Sequence, residues 1–381
     1  MKHLYLSEEH QIFRQALRRF LEKEAVPNYE QWEKDRIIPR EFWTKMGEQG
    51  FLCPNIDEEY GGSNVDWGFN VVINEELERV GSSLVGIGLH SDIVVPYITT
   101  YGTEEQKERW LPKCVSGEMI TAIGMTEPGT GSDLANIKTT AIKDGDYYIV
   151  NGQKTFITNG IHADLVIIAC KTDPNAVPKH QGISLLAIER GTPGFSRGRK
   201  LDKVGLHAQD TAELIFEECR VPAKNLIGNE GEGFKYMMEK LQQERLVVAL
   251  AAQVSSEVML SQTIDYVKSR EAFGQPISKF QNTQFKVVEM ATQIEVSRSF
   301  LDQLIAEHLE GTDVVTKVSM AKWWITNMAK SIATECMQLY GGYGYMEEYE
   351  IARRFRDIPV MAIYAGTNEI MKTIIAKNMN L

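Results

Sequence analysis

A chain of 381 residues exceeds what one hydrophobic core comfortably holds, so two or three structural units are expected, large enough together to enclose a sizeable ligand. Its 43% apolar and 24% charged residues are close to the averages of globular proteins, which excludes disordered, collagen-like and membrane-embedded classes. The formal net charge is −11, and Lys and Arg are scattered among Asp and Glu without forming a basic stripe. Nucleic acid is therefore not an expected partner.

The cysteine pattern and the start of the chain bear on the compartment. The five cysteines are widely separated, with no C-x-x-C pair and no His at metal-ligand spacing, so neither a disulfide framework nor a metal site is predicted. They are Cys53, Cys114, Cys170, Cys219 and Cys336. Residues 1–18 carry charges throughout, unlike a signal peptide, and no segment approaches the roughly 18 apolar residues that span a bilayer. We therefore expect a cytoplasmic protein without a membrane span.

The first part of the chain carries helix signals. Apolar residues between Ser7 and Glu22 recur at helical spacing behind an acidic first turn, which predicts an amphipathic helix with Ser7 as its N-cap. A second helix is predicted after Thr103, where a capping box with Gln106 precedes two apolar residues, and Pro112 is expected to stop it. Residues 1–120 are therefore predicted to form an N-terminal α-helical domain.

Residues 121–230 have a different texture. Short β-rich runs, such as 147–150, 165–169 and 183–188, are separated by dipeptides that accept positive φ and favour hairpin turns. These dipeptides are Asp144-Gly145, Asn151-Gly152 and Asn159-Gly160. The pattern predicts a central, mostly antiparallel β domain.

Residues 231–381 return to helical spacing. We predict helices over about 235–269, 281–309, 313–338 and 367–379, with breaks at 274–276, Gly311 and 341–344. The order of the chain is helical, then β, then helical, which predicts an α+β fold class. The sequence shows no internal repeat and no long flexible linker.

Several segments have compositions that suit ligand binding. Residues 126–133, Thr-Glu-Pro-Gly-Thr-Gly-Ser-Asp, form a glycine-rich turn whose N–H groups and hydroxyls suit a polar heterocycle, although a plain loop explains them better when they are taken alone. Phe156 and Thr158 end a strand with an aromatic ring and a hydroxyl, where an ordinary strand end is the simpler interpretation. Arg270 precedes a Gly-Pro break; it suits a pyrophosphate, or it is a solvated charge at a helix end.

Two further glycine-containing turns join helices near the end of the chain. One is 338–342, Gln-Leu-Tyr-Gly-Gly, and the other is 364–369, Tyr-Ala-Gly-Thr-Asn-Glu. The second places Thr367 or Asn368 at the start of a helix, where free N–H groups suit an anionic or electron-rich ligand edge. Ordinary helix capping explains the segment equally well.

Together and in this order, these segments resemble the acyl-CoA dehydrogenase family over essentially the whole chain. The resemblance is carried by 126–133, by Arg-x-Ala-Phe-Gly at 270–274 and by Gln-Leu-x-Gly-Gly at 338–342. It implies an N-terminal helical domain (1–120), a central β domain (121–230) and a C-terminal four-helix bundle (231–381), assembled as a homotetramer. It also implies FAD, bound without a Rossmann fold.

The resemblance carries roles to the matching positions of this sequence. The flavin rings are expected against Phe156 and Thr158, and some cofactor-binding residues are expected to serve a neighbouring subunit. The predicted FAD-binding residues are Ile123, Met125, Thr126, Ser132, Phe156, Thr158, Arg270, Phe273, Gln281, Gln338, Gly342, Thr367 and Glu369. The predicted substrate-binding residues are Ser132, Arg245, Ala365 and Gly366.

One position departs from the commoner family pattern. Many members keep the glutamate that removes the α proton of the substrate directly before the Gly-Thr pair, where this chain has Ala365. A second glutamate, Glu244, lies on a helix line with apolar or small neighbours, although a Glu beside Arg245 would ordinarily be a solvated pair. Because the long-chain and isovaleryl branches of the family carry their base at this position, the resemblance predicts Glu244 as the general base.

The branch and the partners are also inferred from the resemblance. Residues 243–246 and 364–372 are most similar to the long-chain branch, so we expect a medium or long straight-chain acyl-CoA as substrate and an electron-transfer flavoprotein as electron acceptor. Isovaleryl-CoA or another branched short acyl-CoA is the alternative substrate. A non-catalytic acyl-CoA-binding or assembly protein is the alternative outside catalysis, and the near-complete flavin motifs and Glu244 count against it.

Overall fold

The computed structural model describes residues 5–381 and has three successive parts, two helical and one β. The first part contains seven α-helices between residues 8 and 116. They are α1 Glu8–Glu24, α2 Tyr29–Asp35, α3 Arg40–Glu48, α4 Gly68–Val80, α5 Val85–Gly88, α6 Val95–Tyr101 and α7 Glu104–Ser116. A π-helical segment, Leu89–Val94, joins α5 to α6.

The middle part is an eight-stranded sheet. Its strands are β1 Thr121–Gly124, β2 Thr140–Asp144, β3 Tyr147–Thr158, β4 Leu165–Lys171, β5 Ile183–Glu189, β6 Phe195–Lys200, β7 Thr211–Pro222 and β8 Leu226–Ile227. The order is β6-β7-β3-β2-β4-β5-β8, with β1 pairing in parallel with β4. Most of the remaining pairs are antiparallel, as the sequence predicts.

Strand β4 explains how the β part joins the first helical part. Alternate side chains of a strand point to opposite faces, and here both faces are buried. Leu165 and Ile167 belong to the core shared with the N-terminal helices, whereas Val166 and Ile168 belong to the core inside the β part. The sheet is therefore packed on both sides along this strand.

The last part is built from long helices. They are α8 Gly233–Ser269, α9 Gln281–Leu309, α10 Val315–Tyr340, α11 Glu350–Asp357 and α12 Asn368–Asn378, and a two-stranded ribbon of β9 Glu271–Ala272 and β10 Gln275–Pro276 lies between α8 and α9. Helices α8, α9, α10 and α11 contribute to one apolar core, to which Trp67 and Val71 from the start of α4 also belong, and α12 packs against α10. The predicted order of a helical domain, a β domain and a C-terminal helical bundle is confirmed.

Helix α8 is the central helix of the protein. It is the one helix among the described residues that is long and apolar enough to cross a membrane, whereas the sequence pattern predicts no such segment. However, 72% of its most apolar window is buried inside the protein. Its neighbours are α4, α9 and α10, so its hydrophobicity is explained by core packing.

Three local predictions are wrong wholly or in part. Helix α7 continues through Pro112 to Ser116, because the turn after the proline buries Cys114 and Val115 and thereby offsets the lost backbone hydrogen bond. Asn151-Gly152 lies inside β3 and forms no hairpin turn; the register shifts there, and Gly152 has φ 149°. A Cβ at Gly152 would collide with Thr139, so the glycine serves a bulge in the strand. The hairpin turn at Asp144-Gly145 is confirmed, because β2 and β3 pair in antiparallel fashion across it. Asn159-Gly160 forms a turn between β3 and β4, but these two strands do not pair with each other, so it closes no hairpin.

Candidate active site

Glu244 lies on the buried face of α8. The predicted inner line of this helix is buried throughout: Leu241, Glu244, Val248, Ala251 and Ser255. The Glu244 side chain is nearly enclosed, with 5% of the residue exposed, and Arg245 beside it is equally buried. The ordinary interpretation of a Glu-Arg pair as solvated surface charges is therefore wrong here.

The Glu244 carboxyl has one hydrogen-bond donor among the described side chains. The Tyr97 hydroxyl, from α6, donates to Oε1 at 3.1 Å. Burial raises the pKa of Glu244 to about 7, while the Tyr97 hydrogen bond and the charge of Arg245 act in the opposite direction. A carboxyl with this pKa exchanges a proton near neutral pH, as a general base must.

The π-helical segment before α6 determines where Tyr97 lies. Pro96 lies in the first turn of α6, where its missing N–H costs no hydrogen bond, and Tyr97 follows it fully buried. Asp92, in the π-helical segment, accepts hydrogen bonds from three side chains: Trp67 (2.8 Å), Asn70 (2.9 Å) and Asn74 (2.8 Å). This segment is therefore tied to α4.

Helix α8 is tied to the same π-helical segment. The Gln243 amide donates to the backbone carbonyl of Asp92 at 2.7 Å. Because Gln243 is next to Glu244 in the chain, this hydrogen bond fixes the position of the Glu244 carboxyl along α8 relative to α6.

The turn before α12 lies against Arg245. The Arg245 Nε atom donates to the Ala365 carbonyl at 3.4 Å, and the buried Lys322 ammonium, from α10, donates to the Gly366 carbonyl at 2.7 Å. Ala365 and Gly366 both have positive φ, 52° and 86°. The side chains of Arg245 and Lys322 thus hold two successive carbonyls of a tight turn.

The same turn leaves backbone donors free. Within residues 5–381, neither the Ala365 N–H nor the Gly366 N–H donates to a protein acceptor. Thr367 then caps α12, its hydroxyl accepting from the Ile370 N–H at 3.3 Å. Two unpaired N–H groups next to the Arg245 side chain suit a carbonyl oxygen of a ligand on which negative charge develops.

A second group of predicted residues is brought together by the β part. Ile123, at the end of β1, and Met125 and Thr126 after it are half-buried, and the Thr126 carbonyl accepts from the Thr155 N–H of β3 at 2.9 Å. The neighbouring residues of β3 include Phe156, which is 68% exposed with φ 60°, and Thr158 at the strand end. An apolar ring displayed beside a polar turn fits a flavin face.

The turn at 126–133 is held by a buried ion pair that sequence reasoning missed. The Lys154 ammonium donates to Glu127 Oε1 at 2.8 Å and to the Met125 carbonyl at 3.2 Å, and both side chains are buried. Glu127 also accepts from the backbone N–H groups of Lys138 and Thr139. Ser132, at the far side of this turn, is exposed.

A third group of predicted residues lies at the C-terminal ends of α8 and α10. Arg270, Gln338 and Gly342 line one cavity of about 530 Å³, and the Arg270 guanidinium lies 5.5 Å from the Tyr343 ring. Arg270 makes no ion pair with any residue of the described chain. A Cβ at Gly341 or Gly342 would meet no protein atom, so this cavity has room for a ligand.

The remaining predicted cofactor residues lie near this cavity or near the turn before α12. Phe273 is 96% exposed, and Gln281 is the exposed first residue of α9. Glu369 is exposed in the first turn of α12. An unpaired guanidinium beside a cavity, together with exposed aromatic residues, fits a pyrophosphate and its attached rings. Within the described chain, no hydrogen bond or ion pair joins the cavity at Arg270 to the group on β1 and β3.

Sequence reasoning missed Tyr97, Lys322 and Lys154. Tyr97 lies in an ordinary apolar helix, and Lys322 follows an alanine with no acidic residue nearby in sequence, so neither carries a local signal. Lys154 is in a strand, and an alternating strand with a Lys on its buried face could have indicated an internal partner. Such long-range pairs are formed only by the fold.

These observations define a class: an enzyme with a helical, a β and a second helical part, a buried carboxyl titrating near neutrality, and separate polar clefts for a large cofactor. Models of the acyl-CoA dehydrogenase N-terminal, middle and C-terminal domains match residues 7–118, 122–219 and 231–380. The chain therefore belongs to the acyl-CoA dehydrogenase family, whose members are flavin-dependent oxidoreductases that use FAD.

Individual relatives agree with this family assignment. An acyl-CoA dehydrogenase structure from Geobacillus kaustophilus is 71% identical, with a TM-score of 0.99 and complete coverage of both chains. Long-chain specific acyl-CoA dehydrogenase from Sus scrofa is 46% identical over 98% of this chain and 87% of its own length. Isovaleryl-CoA dehydrogenase from Pongo abelii is 38% identical over 98% of this chain and 89% of its own length.

Proposed function

We propose that the protein dehydrogenates medium or long straight-chain acyl-CoA thioesters to trans-2-enoyl-CoA, as a step of fatty acid β-oxidation, with Glu244 as the general base. The observation that carries the proposal is the buried Glu244 carboxyl with its pKa raised to about 7, next in the chain to the arginine that holds the Ala365–Gly366 turn. Glu244 takes the α proton, and a bound FAD would supply the two-electron oxidant for the β hydrogen.

The chain's own residues orient the substrate. The free N–H groups of Ala365 and Gly366 meet the thioester oxygen as negative charge develops on it, and each such donor typically contributes about 3 kcal/mol to lowering the barrier. Burial around Glu244 excludes water, which strengthens this interaction. Ser132 and Arg245 are proposed to contact the substrate as well.

FAD is proposed to be held by two groups of residues. Ile123, Met125, Thr126, Phe156 and Thr158 hold the flavin rings, and Arg270, with the residues around its cavity, holds the pyrophosphate. Because the two groups are not joined within one chain, we propose that Arg270, Phe273 and Gln281 serve the cofactor of a neighbouring subunit in a homotetramer.

An apolar surface supports the oligomer. Val296 and Trp324, on α9 and α10, are 61% and 48% exposed and line an apolar cavity of about 380 Å³ with Phe300 and Ile375. Apolar side chains exposed side by side in this way suit a contact with another protein surface. Light scattering of the purified protein tests this, since a concentration-independent monomer would contradict it. Cytoplasmic location and an electron-transfer flavoprotein as acceptor complete the proposal.

The preference for straight chains is motivated by 243–246 and 367–369 and supported by the higher identity to the long-chain relatives. Each buried methylene contributes about 0.8 kcal/mol of transfer free energy, so a deep pocket favours longer chains. Isovaleryl-CoA is the second candidate, supported by the 38% identical relatives.

One experiment tests both parts of the proposal. The flavin spectrum is followed anaerobically while acyl-CoAs of increasing length, and isovaleryl-CoA, are added. Bleaching of the flavin by straight chains is expected, and Glu244→Gln should slow it by orders of magnitude while FAD and acyl-CoA still bind. The matched control is Glu239→Gln, an exposed glutamate of the same helix. Parent-rate bleaching in Glu244→Gln would refute the base, and a much higher efficiency with isovaleryl-CoA would refute the substrate class.

A further inference from the structure

The two oxygens of the Glu244 carboxyl have different surroundings. Oε1 accepts the Tyr97 hydroxyl at 3.1 Å, whereas no described residue donates a hydrogen bond to Oε2. A carboxylate bound at one oxygen cannot turn freely, and its other oxygen remains available for a proton. This asymmetry therefore leaves Oε2 as the oxygen that can accept a proton.

Tyr97 is itself held rigidly. It is fully buried on α6, and the segment before it is fastened to α4 through Asp92 and to α8 through Gln243. Tyr97 and Glu244 thus meet from two helices whose separation is fixed by other hydrogen bonds. A tyrosine used only for packing would not need its hydroxyl directed at a carboxylate.

We propose that Tyr97 is a positioning residue for the general base: its hydroxyl holds Oε1, so that Oε2 takes the α proton of the substrate. This inference rests on the proposed role of Glu244 as base. No bond to Tyr97 forms or breaks in the reaction. The α C–H bond breaks and its proton passes to Oε2, while the electron pair of that bond forms the α,β double bond as the β hydrogen leaves with its own electron pair to the oxidant, for which FAD is proposed.

The charged and titratable groups that act on Glu244 are few. Within residues 5–381 they are Tyr97 from α6 and Arg245 from α8 itself. Lys322, from α10, faces Arg245. A donor to a carboxylate stabilises its charged form, so the loss of the Tyr97 hydroxyl should raise the pKa of Glu244. Because the base must be deprotonated to act, flavin reduction then requires a higher pH.

The test is anaerobic flavin reduction by a saturating straight-chain acyl-CoA, followed across pH in the FAD-loaded protein. Tyr97→Phe should shift the midpoint of the rate upward by about one pH unit, which makes the rate at pH 7 roughly fivefold lower. The dissociation constant for acyl-CoA should not change. The matched control is Tyr101→Phe, because Tyr101 lies on the same helix and donates to Glu239 of α8 at 2.5 Å, away from Glu244.

A near-isosteric variant keeps the test valid if Tyr97→Phe does not fold. Site-specific 3-fluorotyrosine at 97 is a stronger donor, so the midpoint should shift downward. An unchanged midpoint in both variants overturns the inference, and so does a rate loss without any shift, since that indicates packing alone. Glu244→Gln is measured in the same assay. If it reduces flavin at the parent rate, the base assignment fails; if it is inactive and the Tyr97 midpoints do not move, only the role of Tyr97 fails.

Discussion

Lys322 on α10 donates a 2.7 Å hydrogen bond to the carbonyl of Gly366, in the turn before α12. The lysine is fully buried, and its ammonium also contacts Asn368 Oδ1 at 3.2 Å. The turn whose free N–H groups are proposed to meet the substrate is therefore held through one of its carbonyls by Lys322.

Lys322→Met should slow flavin reduction roughly 10- to 100-fold while FAD remains bound, because the turn loses the anchor that holds its free N–H groups in place. The loss should appear mainly in the maximal rate and less in substrate affinity. Stopped-flow reduction measures both. Lys330→Met, an exposed lysine of the same helix, is the control and should behave as the parent. A normal maximal rate in Lys322→Met would show that the turn holds itself.

Lys322 also predicts a pH dependence of stability. Burial, and then the charge of Arg245, lower the pKa of Lys322 from 10.5 to about 7. Between these values the unfolded chain keeps a proton that the folded protein has released, so this lysine makes the free energy of unfolding rise with pH from about 7 to 10.5. The contribution is at most about 1.4 kcal/mol per pH unit.

Urea unfolding at several pH values in this window measures that contribution. Lys322→Met should remove it, so the stability of the parent relative to the variant should increase toward high pH. A difference that stays constant or decreases with pH would mean that Lys322 remains charged in the folded protein.

The buried pair of Lys154 and Glu127 predicts a large effect on stability. Burial opposes ionisation of Glu127, yet Lys154 holds the pKa of that carboxyl below its ordinary value. Lys154→Met should cost about 3–5 kcal/mol of unfolding free energy, because it leaves a buried carboxylate without its cation. Adding Glu127→Gln should recover part of this loss. The control is Lys143→Met, at an exposed lysine. If Lys154→Met lost less than about 1 kcal/mol of unfolding free energy, the prediction would be contradicted.

Arg270 is predicted to bind the pyrophosphate of FAD. Arg270→Ala should weaken FAD binding by roughly 10- to 100-fold, the loss expected for hydrogen bonds to a charged group. Equilibrium dialysis followed by flavin absorbance measures this, and Lys268→Ala, an exposed neighbouring cation, is the control. Unchanged retention of FAD by the Arg270 variant would refute the assignment.

The spacing of apolar residues predicts the three-part fold because the residues at that spacing are the ones buried in the structure. The line from Leu241 to Ser255 can be read as one helix face before any coordinates, and the face is buried. Pro112 and Asn151-Gly152 are misread because a local signal, helix stopping or turn formation, is overridden by packing of the following residues and by a strand bulge.

The candidate active site can be predicted only in part from the sequence, for another reason. The motif positions can be found by resemblance, but the partners that tune them come from distant segments: Tyr97 is 147 residues from Glu244, and Lys322 is 44 residues from Gly366. No spacing rule predicts such pairs, because they depend on how α6, α8 and α10 pack. The sequence thus indicates which residues are candidates for binding and catalysis, and the fold determines the pKa values of their side chains.

Ala365 offers the converse test of the base. Many family members carry a glutamate at this position, and Ala365 already has a Cβ in the left-handed conformation, so a larger side chain adds no new backbone restriction. Ala365→Glu placed in a Glu244→Gly background should regain part of the flavin reduction rate that Glu244→Gly loses. Recovery should be incomplete, because a general base needs hydrogen-bond-range placement and a tuned pKa, and the hydrogen bond that Tyr97 makes is directed at residue 244. Glu244→Gly with Ala365→Ser is the matched control without a carboxyl. If the serine control recovers as much activity as the glutamate variant, the new carboxyl is not acting as a base.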